Sequence, residues 1–163
     1  MKGLTQHQYE VGVVWTGQPD GAAADPAALD PAGLDHSHEI RVVGKPTIAA
    51  SASPAQCGDT ARHSPEELLV AAISECHMLW YLRLAAENGI VVTGYRDTAV
   101  GTLSEHPDGS GRFTGVVLNP EVTVADPATQ HTAQVLHERA HAMCFIASSV
   151  NFAVRHEPVT RVA

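Results

Sequence analysis

Hydrophobic and polar positions alternate near the start of the chain. Tyr9, Val11, Val13 and Trp15 interleave with Glu10, Gly12 and Val14, and this period of two predicts a first β-strand. His38 to Val43 predicts a second. Tyr95 to Leu103 and Phe113 to Leu118 read as two more, joined through Pro107-Asp108-Gly109-Ser110-Gly111. Proline fixes φ and glycine accepts positive φ, so this linker predicts an antiparallel hairpin with a longer loop. Glu121 to Val124 continues as a strand after Pro120, and Phe152 to His156 is the last strand expected, kept extended at Glu157 by Pro158.

Two segments carry a helical period instead. The first opens at Ser64-Pro65-Glu66-Glu67, where Ser64 can cap, Pro65 suits the first helical position and Glu67 completes a capping box. Both glutamates lie where the helix dipole favours negative charge. Leu68, Leu69, Ala72, Ile73, Cys76, Leu79, Trp80 and Leu84 make this helix apolar over most of its circumference, and Asn88-Gly89 ends it. The second helix opens at Asp126-Pro127, runs through Val135, Leu136, Ala140, Met143 and Cys144, and is expected to end near Ser148-Ser149, with Gln130, Glu138 and Arg139 outward. Strands without regular βαβ alternation predict an α+β fold, with helices packed on antiparallel sheet. One proline-, glycine- and alanine-rich stretch, within 17–34, reads as a long exposed loop, either a lid or interface element or a tolerated insertion.

The 163 residues suffice for a single domain spanning 1–163 with its own core. Ten basic against eighteen acidic side chains give a net charge of −8, which argues against nucleic acid or an anionic membrane surface as partner. The apolar runs are interrupted short of the ~20 residues a membrane span needs. Met1 to His7 contains no apolar run that would read as a secretory signal. Three cysteines, an odd number, suit a reducing compartment such as the cytoplasm better than a disulfide scaffold.

Candidate chemistry lies in sulfur and imidazole. Cys76 lies on the first helix and Cys144 near the end of the second. Each alone packs as a small hydrophobe in most proteins; together they could form a redox pair, a nucleophilic thiolate and a thiol that resolves its sulfenic acid. Cys57 falls in a loop and reads as an incidental surface thiol. His137, His141 and Cys144 stand at i, i+4 and i+7, a ligand-like spacing for zinc. No CxxC or HExxH motif supports a metal, and a half-exposed polar face is the default reading. The pair His36 and His38 carries still less.

The run Ser64-Pro65-Glu66-Glu67-Leu68-Leu69 through Cys76-His77 resembles the first-cysteine helix of the OsmC/Ohr family of thiol peroxidases, with Ser64 at a position the family usually gives to asparagine. Ala142 to Val150 resembles that family's second-cysteine segment, with Phe145 where many members have proline. The resemblance implies an intertwined homodimer of antiparallel sheets around two central helices, with active sites at the subunit interface. It implies reduction of organic hydroperoxides without metal, haem or flavin, followed by reset with a dithiol or protein reductant. By the same resemblance Cys76 matches the peroxidatic cysteine, Cys144 the resolving one, and Glu66 a glutamate that partners an active-site arginine. That arginine often follows the first strand, but the loop Gly17 to Leu34 holds none. Arg62, Arg41 and then His38 are the remaining candidates to stabilise the Cys76 thiolate. A non-catalytic protein binding a small apolar ligand on the same dimeric fold is the alternative, since a fold does not fix a function.

Overall fold

The computed structural model describes residues 4–15, 17 and 34–163. The interior of the loop expected over 17–34 therefore lies outside the described residues. The chain divides into two compact units, Met1–Leu68 and Leu69–Ala163.

In the first unit, β1 (Gly12–Val14), β2 (His38–Arg41) and β3 (Ile48–Ala50) form an antiparallel sheet in that order. Both predicted strands are present but shorter than their alternation suggested. β3 was not expected; only three residues, Ile48, Ala49 and Ala50, separate Pro46-Thr47 from the serines that follow. Cys57 is exposed and closes a 3-10 turn over Pro54–Gln56.

The helix α1 (Pro65–Glu87) starts where the capping box placed it. The Glu67 backbone N–H donates to Ser64 Oγ at 3.3 Å, and the Ser64 N–H donates to the Glu67 carboxylate at 2.9 Å. Gly89, at φ +69, ends it: the Ile90 N–H reaches back to the Ala85 carbonyl at 2.9 Å. By length and composition alone α1 could cross a membrane, which corrects the expectation that no segment is long enough. Its burial is that of a core helix in one respect: Ile73, His77, Tyr81 and Ala85, four residues apart, form one fully covered stripe. The remaining apolar positions are half-buried or exposed, Leu79 being 55% exposed.

The second unit contains β4 (Val92–Asp97), β5 (Val100–Glu105), β6 (Gly111–Leu118), β7 (Pro120–Val124), α2 (Gln130–Met143), β8 (Ala153–His156) and β9 (Val159–Val162). One sheet has the order β4-β7-β9 and the other β5-β6-β8. Each strand of one sheet is joined to a counterpart in the other by one or two residues, β4 to β5, β6 to β7 and β8 to β9, so the two sheets are three long strands sharing a bend. The run predicted as one strand from Tyr95 to Leu103 is bent in this way between Asp97 and Val100. Asp97 fixes the corner by accepting from Ser74 Oγ of α1 at 2.5 Å and from the Asn119 N–H at 2.7 Å. Pro120 and Pro158, which lack a ladder donor, stand at the equivalent corners. The expected β5–β6 hairpin is present, its turn closed by the His106 N–H to the Ser110 carbonyl at 2.7 Å.

The fold is α+β, with one correction: β6 pairs with β8, and β7 with β9, in parallel. These pairings require the crossover that α2 supplies. One core packs Tyr81, Ala85, Ile90, Val122, Val124, Ala133 and Ala140; the other packs Ile73, Val116 and Leu118 with Phe113, Phe152 and Val154. Thus α1 lies on both halves of the bent sheet. Gly101 marks a close approach, because a Cβ there would meet Val70 at 2.6 Å and Phe113 at 2.8 Å.

Candidate active site

Two chemically different clusters line the contact between α1 and α2. The first is sulfur. Cys144 is buried and caps the C-terminus of α2, which ends at Met143 rather than near Ser148; the expected tail is a separate 3-10 turn, Ala147–Ser149. Leaving the helix turns Cys144 extended, at φ −71 and ψ 107. Its thiol faces the Ile73 carbonyl at 4.0 Å and accepts from the Ala147 N–H at 3.4 Å. The half-buried Cys76, three residues after Ile73, is close enough to Cys144 for the two thiols to influence each other. Burial first, and then the Cys76 thiol, push the Cys144 thiol up to about 11. The structure therefore brings Cys76 and Cys144 together as free thiols.

Glu66 lies on α1, ten residues before Cys76, so about 15 Å of helix rise separates them. Its Oε2 is buried without a hydrogen-bond partner among the described residues. Arg62 pairs with Asp59 at 3.3 Å, Arg41 binds Glu39 at 2.5 and 2.8 Å, and His38 Nδ1 meets the His36 carbonyl at 2.9 Å.

The second cluster is imidazole. His77 from α1 and His137 from α2 are fully buried, with His77 Nε2 and His137 Nδ1 2.9 Å apart. Tyr81 stacks on His137 with ring centres 4.1 Å apart. His156 from β8 lies 5.5 Å from His77, and His141 stacks on His156 at 5.1 Å. At the rim His156 Nε2 faces the Glu138 carboxylate at 3.5 Å. Burial, then the neighbouring imidazoles, lower His77 to about 4 and His137 to about 3. Both rings are therefore neutral near pH 7.

This corrects the reading of a half-exposed polar face for His137, which occupies the core position between Ala133 and Ala140, whereas His141 is half-buried. Among the described residues no group of three or more histidine, cysteine or acidic side chains is arranged to hold a metal ion. His77 and His156 were missed by sequence reasoning. The signal for His77 was present, since it falls midway along the stripe Ile73–His77–Tyr81–Ala85. His156 comes to the cluster only through the parallel pairing of β8.

The bent three-stranded sheet carrying two helices is a fold shared with solved structures. A solved structure of an OsmC-like protein of unknown function from Vibrio cholerae superposes with a TM-score of 0.82 at 33% identity, covering 94% of this chain and 100% of that one. An organic hydroperoxide resistance protein from Legionella pneumophila shares the fold at 14% identity, TM-score 0.67, covering 96% of this chain and 98% of that one. Another from Elizabethkingia anophelis does so at 17% identity, TM-score 0.63, covering 96% and 100%. No curated protein matches the chain. The OsmC-like protein family matches residues 58–158, and the chain belongs to that family.

Proposed function

We propose that this chain is a cysteine-based peroxidase that reduces organic hydroperoxides. The observation that carries the reading is the free Cys76 thiol, partly accessible, close enough to the buried Cys144 for the two to influence each other. Burial protects Cys144 from ionising and from direct attack, while Cys76 is the sulfur a peroxide can reach. The Cys76 thiolate attacks the distal peroxide oxygen, the O–O bond breaks, and the alkoxide leaves as alcohol after taking a proton. Cys144 then displaces hydroxide from the Cys76 sulfenic acid, giving a disulfide and water. A dithiol or protein reductant returns both sulfurs to thiols by exchange. Some neighbours of the same fold carry the name organic hydroperoxide resistance protein, which supports the substrate class.

The same reading includes a homodimer in the cytoplasm. Leu79, Val135, Phe145 and Ile146 are exposed apolar side chains on or beside the two helices, and Phe145 is 68% exposed. A second copy would cover them. Glu66 would then act on a thiol through another group, given its distance along α1 from Cys76. Sedimentation at micromolar concentration should give a dimer; a monomer would count against this part.

The alternative, a binding protein for a small apolar ligand, is favoured by one observation: Arg41 and Arg62 already have carboxylate partners nearby. Adding cumene hydroperoxide to reduced protein and counting thiols separates the two. The peroxidase loses two thiols per chain, and Cys76→Ser loses none; a ligand-binding protein keeps all of its thiols.

A further inference from the structure

The hydrogen bond between His77 and His137 has a consequence that depends on neither ring's tautomer. Each neutral imidazole has one N–H and one bare nitrogen. If His77 Nε2 donates, His77 Nδ1 is a bare acceptor and His137 Nε2 carries a proton. If His137 Nδ1 donates, those roles reverse. In either state the pair presents one open donor and one open acceptor at its two ends. Those ends, His77 Nδ1 and His137 Nε2, are both buried without a partner among the described residues. A proton arriving at the bare end and another leaving from the opposite end interchange the two tautomers, and neither ring stays charged.

We propose that His77 and His137 form a two-imidazole proton relay serving the Cys144 thiol. The proposal rests on the reading of Cys76 and Cys144 as a redox pair. The helix α1 links the relay to the sulfur: Ile73, whose carbonyl meets the Cys144 thiol at 4.0 Å, precedes His77 by four residues, about 6 Å of rise or just over one turn. His141, three residues before Cys144 on α2, has its own buried, unpartnered Nδ1. The other groups facing the pair are Tyr81 on α1, itself packed against Tyr95 of β4, and His156 on β8 with Glu138 of α2 at its rim.

The chemistry requires such a relay at Cys144 more than at Cys76. When Cys144 attacks the sulfenic acid, an S–S bond forms and the Cys76 S–O bond breaks. The thiol proton must leave Cys144, and the departing hydroxide must gain one to become water. In the reset, a dithiol attacks Cys76, the S–S bond breaks, and Cys144 leaves with the electron pair. A sulfur held high by burial is a poor leaving group until it is protonated. The second thiol of the reductant then frees Cys76, and the reductant departs as its own disulfide.

Two substitutions test the relay while keeping the hydrogen bond. The amide of Gln in His77→Gln reproduces the Nε2 position, and that of Asn in His137→Asn the Nδ1 position, but an amide does not exchange one proton for another. Single-turnover oxidation with cumene hydroperoxide, quenched with dimedone and read by mass spectrometry, separates sulfenic acid formation from disulfide formation. We expect sulfenic acid formation within about twofold of wild type and disulfide formation slowed at least about tenfold, with a changed solvent isotope effect. A second arm forms the disulfide with diamide and follows its reduction by dithiothreitol. Slower reduction in both variants, by at least about tenfold, is the expected result. Wild-type rates of disulfide formation and reduction in both variants would overturn the relay. Disulfide formation with diamide but not with hydroperoxide would overturn the peroxidase reading alone, leaving the reduction arm to decide the relay. If neither oxidant gives a disulfide, the relay falls with the redox pair.

Discussion

The sulfur end and the imidazole end of the α1–α2 contact are built on opposite terms. At the sulfur end polar atoms find partners: Cys144 accepts from Ala147 N–H, and its carbonyl takes the Ser148 hydroxyl at 2.9 Å. Cys76 keeps some contact with solvent. At the imidazole end the rings are sealed, and His77 Nδ1, His137 Nε2, Tyr81 OH and Tyr95 OH have no partner among the described residues. An unpartnered buried polar group is costly, on the order of 1–3 kcal/mol each. A domain keeps such an arrangement where something other than stability selects it. The sulfur end should therefore carry chemistry with little bearing on stability, and the imidazole end should govern how stability responds to its surroundings.

The largest effect expected is at the sulfur end. Cys76→Ser should lower peroxide consumption at least about a thousandfold, because a hydroxyl is a far weaker nucleophile than a thiolate. Its thermal midpoint should stay near that of wild type. A large fall in that midpoint would blur the contrast.

Acid should break the imidazole end. His77 and His137 titrate near 4 and 3 in the folded chain, against 6.5 as their ordinary value. Between those values the unfolded chain binds protons that the folded one refuses. The stability is fully present above about pH 6.5 and is lost as the pH falls toward 4. Urea melts at pH 7 and pH 4.5 should differ by on the order of 5 kcal/mol, roughly half from each ring. In the double variant His77→Leu, His137→Leu that difference should shrink.

A change outside both ends sets the scale. Ser64→Ala removes one half of the capping box and should cost about 1 kcal/mol, read from the same urea melts. The smallest effect sharpens the comparison most. Tyr81→Phe deletes a hydroxyl that has no partner, so it should leave stability unchanged or raise it by up to about 1 kcal/mol. A loss above that size would mean the hydroxyl is held by water.

What was legible in the sequence follows the range of the forces involved. The start of α1 was written locally in Ser64, Pro65 and Glu67, and its end in Gly89. The two cysteines were found because their segments resemble known ones, not because periodicity distinguishes a reactive thiol from a packed one. The bend dividing Tyr95 to Leu103 was not legible, because Asp97 makes it through Ser74 and Asn119, each more than twenty residues away. Nor was the parallel pairing of β8 with β6 and of β9 with β7, which depends on a crossover rather than on alternation. The histidine cluster failed for a related reason. His137 was weighed against His141 and Cys144 along its own helix, whereas its partners His77 and Tyr81 come from another.

The edge-on contact between Trp80 and Phe145, with ring centres 5.5 Å apart, gives the molecule an optical gauge of its own state. Trp80 is four residues beyond Cys76, and Phe145 directly follows Cys144. On the redox-pair reading, joining the two sulfurs at a bond length of about 2.05 Å would change the spacing of the segments that hold this aromatic pair. The emission of Trp80 should then differ between the dithiol and disulfide forms. The chain contains only two tryptophans, so Trp15→Phe would leave a single tryptophan, excited selectively over the tyrosines, to report oxidation without a label.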